Sequence, residues 1–315
     1  MIEWQLRTPV VFLIFNRPDT TAKVFETIRQ AKPPKLLIVA DGPRPDRRGE
    51  AEKCADARLV VERGIDWPCE VLTNYSDTNL GCKRRVSSGL KWAFEEVEEA
   101  IILEDDCLPH PTFFRFCEEL LQRYRDDTRI ISISGDNFQF GKNATRYSYY
   151  FSRYFHCWGW ATWRRVARMF DPDMPLWPEV QDDGWLSEIF ETKREVEFWR
   201  KTLQRVYDGD IDSWGYAWSF MSFIQNGLNV LPAVNLVSNI GFGEVSTHTQ
   251  DTETRFANMP VEGMRFPLAH PPFMVRYKQA DLYTGKQSFS TAPVYFRVIK
   301  LIARLLKVVR GRLWE

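Results

Sequence analysis

Short, uninterrupted apolar runs separated by helix-like stretches constrain this chain more than any other feature. Val10–Phe15 (VVFLIF) and Lys35–Ala40 (KLLIVA) are too short to be buried helices and show no polar–apolar alternation. Runs of that kind mark strands covered on both faces. Glu70–Thr73 reads as a short third strand, Ala100–Leu103 as a fourth buried one, and Ile130–Ser134 as a fifth. Helix-compatible stretches lie between them: Asp19 or Thr20 to about Gln30, Gly49–Arg63, Lys83–Glu98, and Thr112–Tyr124 behind Pro111. Strand and helix in alternation up to Ser134 predict an α/β fold, a three-layer sandwich around a mostly parallel central sheet.

Sheets of this type bind ligands beyond the carboxyl ends of their strands. The polar residues predicted at those ends are Asn16, Arg17, Asp41, Glu104, Asp105, Asp106 and Asp136. Their acidity suits a cation better than a bare phosphate. The strongest signal is Ile101-Ile102-Leu103-Glu104-Asp105-Asp106, a buried strand ending in three consecutive carboxylates. Mg²⁺ and Mn²⁺ take hard oxygen ligands and often share them with a diphosphate. An acidic turn ahead of the helix at Pro111 is the plainer alternative.

Other residues carry weaker signals. Asp41 suits a ribose or base contact, or simply the turn before Gly42-Pro43. Arg17 suits a nucleotide contact or a surface ion pair. Lys83-Arg84-Arg85 opens a helix where positive charge opposes the macrodipole, which points to a nearby anion or a solvated face. Asp212, among aromatics in Asp210-Ile211-Asp212-Ser213-Trp214, is a candidate general base. Thr247-His248, after Gly241-Phe242-Gly243, offers donors for phosphate or forms a capped turn.

Composition removes other classes. The 42 Lys and Arg balance the 42 Asp and Glu, so nothing draws the whole chain to nucleic acid. Six scattered cysteines form no C-x-x-C pair and read as reduced thiols. No P-loop, G-x-G-x-x-G, H-E-x-x-H or G-x-S-x-G is present, and the four histidines show no metal spacing. The first apolar run lacks the length and flanks of a signal peptide, and no run approaches the ~18 residues of a membrane span. A cytoplasmic protein is expected. After Ser134 the chain becomes aromatic, with Tyr147–Tyr154 followed by Trp158, Trp160 and Trp163. Helices are expected at Gly184–Phe190, Lys193–Tyr207 and Tyr216–Asn226, and irregular chain over Gln250–Gln279. The 12 tryptophans fit an aromatic core or a sugar-handling cleft.

Together these pieces resemble the GT-A (Rossmann-like) nucleotide-sugar glycosyltransferases. The match is to bacterial family-2-like, hemolytic-protein-like enzymes, and more distantly to the N-acetylglucosaminyltransferase that initiates complex N-glycans. It covers about residues 9–250. Asn16-Arg17 falls where that relative has an Asp-Arg pair contacting uracil, and Asp41 matches its acid after the second strand. Glu104-Asp105-Asp106 matches its Glu-Asp-Asp, implying sugar, ribose and metal contacts in that order. Cys157-Trp158-Gly159-Trp160 is similar to a segment of its acceptor region. Trp214 aligns with a Trp that follows its catalytic base, which places Asp212 in that role. Phe242-Gly243 and Thr247-His248 resemble a segment near the diphosphate. The chain departs from the pattern at Ile211 and Ser213, which stand for a Trp and an Asp, and at Gly89, which stands for a nucleotide-binding His.

The resemblance implies inverting transfer from a nucleotide-diphosphate sugar, a UDP-sugar first, to a glycan or lipid-linked acceptor. Asp106 would hold Mn²⁺ or Mg²⁺. Asp212 would be the base. Arg17, Asp41, Glu104, Asp105, Trp160, Trp214, Thr247 and His248 would bind substrate. The implied organisation is one domain over 1–270, with a nucleotide half (1–140) and an acceptor half (141–270), then an extension over 271–315. A sugar-1-phosphate nucleotidyltransferase and a non-catalytic, membrane-associated nucleotide-sugar-binding protein are the alternatives. In the extension, Arg297, Lys300, Arg304 and Lys307 share one face of a predicted amphipathic helix. Such a helix suits either peripheral contact with an anionic membrane or docking on the domain.

Overall fold

The computed structural model describes residues 4–142, 145–242 and 255–289. Thr247, His248 and the basic helix expected after Pro293 lie outside the described residues.

The first half alternates as its sequence pattern predicts: β1 (Val10–Ile14), α1 (Pro18–Ala31), β2 (Lys35–Ala40), α2 (Glu50–Gly64), β3 (Glu70–Tyr75), α3 (Cys82–Glu96) and β4 (Glu99–Glu104). A short β5 (Cys107–Pro109), α4 (Thr112–Arg123) and β6 (Ile130–Ser134) follow. The aromatic stretch then supplies β7 (Tyr149–Ser152) and β8 (Trp160–Trp163). Short helices α5 (Arg164–Ala167), α6 (Trp177–Asp182) and α7 (Leu186–Ile189) lead to α8 (Lys193–Tyr207) and α9 (Trp214–Ile224). β9 (Leu228–Pro232), β10 (Val237–Asn239) and α10 (Lys278–Ser288) complete the described chain. The α8 boundaries are those predicted, and Thr192 caps it by accepting the Glu195 N–H.

The main sheet has eight strands in the order β3-β2-β1-β4-β8-β6-β9-β7. β3, β2, β1 and β4 run parallel, as do β6 and β9. β8 is wedged antiparallel between β4 and β6, and β7 is antiparallel at the edge. This is the Rossmann-like three-layer sandwich with a mostly parallel centre. The sequence analysis did not anticipate β7 to β10. β7, β8 and β9 join the same sheet as the earlier strands, whereas β10 pairs with β5 in a separate two-stranded sheet. Tyr277 N–H donates to the Phe151 carbonyl, and Gln139 Nε2 donates to the Ala280 carbonyl.

Strand alternation assigns the layers. Phe12 of β1 stacks on Phe25 of α1, and the Trp163 indole donates to the Leu121 carbonyl of α4. Register puts Phe12, Leu103 and Trp163 on that one face. Trp160 points the other way, stacked 5.5 Å from Trp214 and edge-on to Trp218 at 4.7 Å, both on α9. Gly89 of α3 lies against Val39 on the same side as α9; a Cβ there would come within 2.4 Å of Val39 Cγ1. A second aromatic cluster, centred on Tyr154, Trp177, Trp199 and Phe223, fastens α6 to α9 together. Among the described residues no helix is long and apolar enough to cross a membrane.

Trp218 is fully buried and holds α9 to β8. Trp218→Ala is expected to cost about 3–5 kcal/mol, read from denaturant unfolding.

Candidate functional site

The carboxyl edge of the sheet lines a cleft of about 860 Å³. Register explains its position. Leu13 pairs with Glu104 and Ile14 with Ala40, so β1, β2 and β4 end at one level. Arg17, Asp41, Glu104, Asp105, Asp106, Asp212 and Trp214 all reach this cleft. Residues far apart in the chain are therefore brought together in one cleft.

The β4 tip is the electrostatic centre. Asp106 Oδ2 accepts from Arg17 Nη1 at 2.6 Å, and the same nitrogen lies 3.9 Å from Asp105 Oδ1. Asp105 Oδ2 accepts the Phe15 N–H at 2.9 Å. Burial, then the charges of Asp106 and Asp105, pushes Glu104 above the usual carboxylate range, while Arg17 and a hydrogen bond from Trp214 oppose the rise. Burial and Asp106 push Asp105 up as well. Burial works against the Arg17 charge, but Asp106 and Asp105 outweigh it and raise its pKa. Asn239 also approaches, with Nδ2 3.4 Å from Asp106 Oδ1 and Oδ1 accepting the Gly241 N–H. Sequence reasoning missed Asn239, although it stands two residues before the Gly241-Phe242 signal. Gly241 is packed so closely that a Cβ would lie 2.2 Å from Asp106 Oδ2.

Metal fit follows from these oxygens. Among the described residues, no group of three Cys, His, Asp or Glu side chains is arranged to hold an ion. Asp106 is a hard-oxygen donor at the cleft with the Arg17 guanidinium 2.6 Å from it. That suits an ion completed by substrate oxygens, and not a closed protein cage.

Two predicted contacts turn out to have structural work. Both Asp41 oxygens are engaged. Oδ1 accepts the N–H groups of Gly42 and Leu80, and Oδ2 accepts from Asn79 Nδ2 and the Gly81 N–H. Asp41 therefore fastens the loop that launches α3. Asp212 accepts the Cys82 and Lys83 N–H groups, one on each oxygen, both at 2.8 Å. It caps α3 from another part of the chain. This cap places a negative charge at the basic helix start. Arg85 turns inward to the Ala40 carbonyl and to Asn74. Trp160 does not reach the cleft. It is fully buried in β8 under α9, because strand parity points it into the core. Trp158, two residues earlier and half-buried, lines the cleft instead.

No protein-family profile matches the chain, and no curated protein matches it. Three solved structures overlap loosely. One is a UDP-glucose pyrophosphorylase complexed with UDP-glucose, at 12% identity over 47% of this chain and 62% of that one, TM-score 0.28. Another is the mannosyltransferase PcManGT from Pyrobaculum calidifontis in complex with GDP-Man and Mn²⁺, at 11% over 71% and 73%, TM-score 0.38. The third is HddC from Yersinia pseudotuberculosis, at 8% over 51% and 78%, TM-score 0.31. Overlap this loose says nothing about what the cleft does.

Gly81 sits at φ +80° and ψ 163°, a glycine-only region, with Asp212 Oδ2 2.7 Å from where a Cβ would be. Gly81→Ala is expected to destabilise by about 1–3 kcal/mol through backbone strain and displacement of the cap, measured by urea unfolding.

Proposed function

We propose that the protein is a divalent-metal-dependent glycosyltransferase. It moves a sugar from a nucleotide-diphosphate donor, a UDP-sugar first, to a hydroxyl of a glycan or lipid-linked acceptor. The observation that carries this reading is the pairing of Asp106 with Arg17 at the acidic tip of β4, in a cleft wide enough for a nucleotide sugar. Asp106 would hold Mn²⁺ or Mg²⁺, whose charge would neutralise the diphosphate leaving group. Arg17, released from Asp106, would meet the phosphates. Asp105, Glu104 and Trp214 would line the ribose and sugar side. Thr247 and His248 would complete the diphosphate side. Asp212, held still by α3, would accept the proton of the attacking hydroxyl. A single in-line displacement at the anomeric carbon would invert its configuration.

A sugar-1-phosphate nucleotidyltransferase is the alternative enzyme class. It calls for a glycine-rich basic loop after β1. Here β1 ends at Ile14 and α1 starts at Pro18, with only Phe15-Asn16-Arg17 between them. A panel of nucleotide sugars in Mn²⁺ separates the two. Metal-dependent release of nucleoside diphosphate supports transfer. Pyrophosphate-dependent release of sugar-1-phosphate overturns it.

Asp106→Asn is expected to abolish Mn²⁺-dependent donor binding with the fold intact, measured by calorimetry. Unchanged binding would remove Asp106 from the metal.

Asp212→Asn keeps one accepting oxygen for the α3 cap but sets its NH2 against the other N–H, so a loss of about 0.5–2 kcal/mol of stability is expected. Turnover is expected to fall by about 10²–10⁴ with donor affinity preserved. Near-normal turnover would assign the base elsewhere. The basic segment after Pro293 would bring the cleft to an anionic bilayer. Full-length protein should then co-sediment with anionic liposomes in a salt-sensitive way that a chain ending at Thr291 does not.

A further inference from the structure

One pair in the cleft wall takes no part in that scheme. Asp136 follows β6, and His156 lies just ahead of β8, the strand inserted between β4 and β6. Both line the cleft. His156 Nδ1 is 2.5 Å from Asp136 Oδ1, and the two residues are 3% and 0% exposed. Their remaining polar atoms, His156 Nε2 and Asp136 Oδ2, are buried with no hydrogen-bond partner among the described residues. Each such orphan costs about 1–3 kcal/mol. Two together, inside a cleft wall, need a reason beyond packing.

Holding the chain in place does not supply that reason. Ser134 Oγ already donates to the His156 carbonyl and accepts its N–H, and Gly135 N–H donates to the Gly159 carbonyl. β6 and the start of β8 are stitched together without the imidazole. With Nδ1 donating to the carboxylate, Nε2 of the neutral ring is left as an acceptor.

The surroundings select what would meet that acceptor. Phe138 lies over the imidazole with ring centres 4.4 Å apart. Trp158 meets Phe138 edge-on at 5.1 Å and Phe242 at 5.7 Å. Flat apolar rings beside one acceptor suit the C–H face and a hydroxyl of a pyranose. Asp136 disfavours an anion there.

We infer that Asp136 and His156 form a sugar-hydroxyl subsite. His156 Nε2 accepts a hydrogen bond from a hydroxyl of the bound carbohydrate, and Asp136 is a positioning residue that fixes the imidazole tautomer. This deepens the nucleotide-sugar reading above and rests on it. The hydroxyl belongs either to the donor sugar or to the acceptor, and the measurements separate the two.

The test is calorimetry in Mn²⁺ with UDP and with UDP-glucose, or with whichever nucleotide sugar and matching diphosphate the donor panel selects. His156→Asn keeps a donor for Asp136 and deletes Nε2. Asp136→Asn keeps the shape and releases the tautomer, and thermal unfolding reports whether either variant has lost its fold. Both should weaken nucleotide-sugar binding by about tenfold while bare diphosphate binds as before, the effect of one hydrogen bond. If donor affinity holds and the acceptor KM rises about tenfold instead, the hydroxyl is the acceptor's and the subsite stands. Equal loss for diphosphate and nucleotide sugar makes the pair structural and overturns the proposal. So does no change in donor affinity or acceptor KM. Failure of the parent reading shows separately, as a wild-type protein that binds no nucleotide sugar.

Discussion

Three carboxylates in sequence at the end of a strand buried on both faces repel one another in a poorly solvated place. The site is organised around relieving that repulsion. Arg17 supplies the nearest positive charge, at 2.6 Å from Asp106, and the Phe15 N–H supplies a donor to Asp105. Both come from the turn after β1, so the parallel pairing of β1 with β4 brings relief and acid together. What remains is a cluster still short of positive charge, with Glu104 and Asp105 held above their usual range mainly by burial. In the proposed scheme a divalent cation arriving with a diphosphate would complete that balance.

The two halves of the cleft are joined by another electrostatic contact. α3 begins with three basic residues, a poor start for a helix dipole. Asp212, anchored in front of α9, offers both oxygens to its first free N–H groups. The contact stabilises α3 and also holds Asp212 against the start of that helix. Gly81 makes the approach possible, since any side chain there would occupy the space of the carboxylate. Asp41 does the same service one loop earlier, which leaves its oxygens committed to the backbone. A residue type that suits ligand binding at a strand end is here the fastening of the loop that launches α3.

The aromatic content divides by position. Trp160, Trp214 and Trp218 form a stack between β8 and α9, and Tyr154, Trp177 and Trp199 bind the helical cluster behind it. Trp158, just ahead of β8, lies at the cleft with Phe138 after β6 and Phe242 after β10, beside His156. Both readings of the tryptophan content, an aromatic core and a sugar-handling surface, thus find residues that fit them, separated by a few positions.

The sequence by itself determined the alternation of strand and helix in the first half, the parallel centre and the acidic strand tip. These are local properties: an apolar run of given length, a capping residue and a charge beside it express themselves wherever the chain goes. Tertiary structure alone decided that β8 inserts antiparallel between β4 and β6. That choice points Trp160 into the core and sets His156 against Asp136. It also decided that Asp212 caps a helix 130 residues away and that Asp41 grips the loop before it. Each of these depends on which distant backbone N–H or side chain arrives within hydrogen-bond reach. Neither periodicity nor residue type carries that information, because it arises only when the strand order and the covering helices are in place.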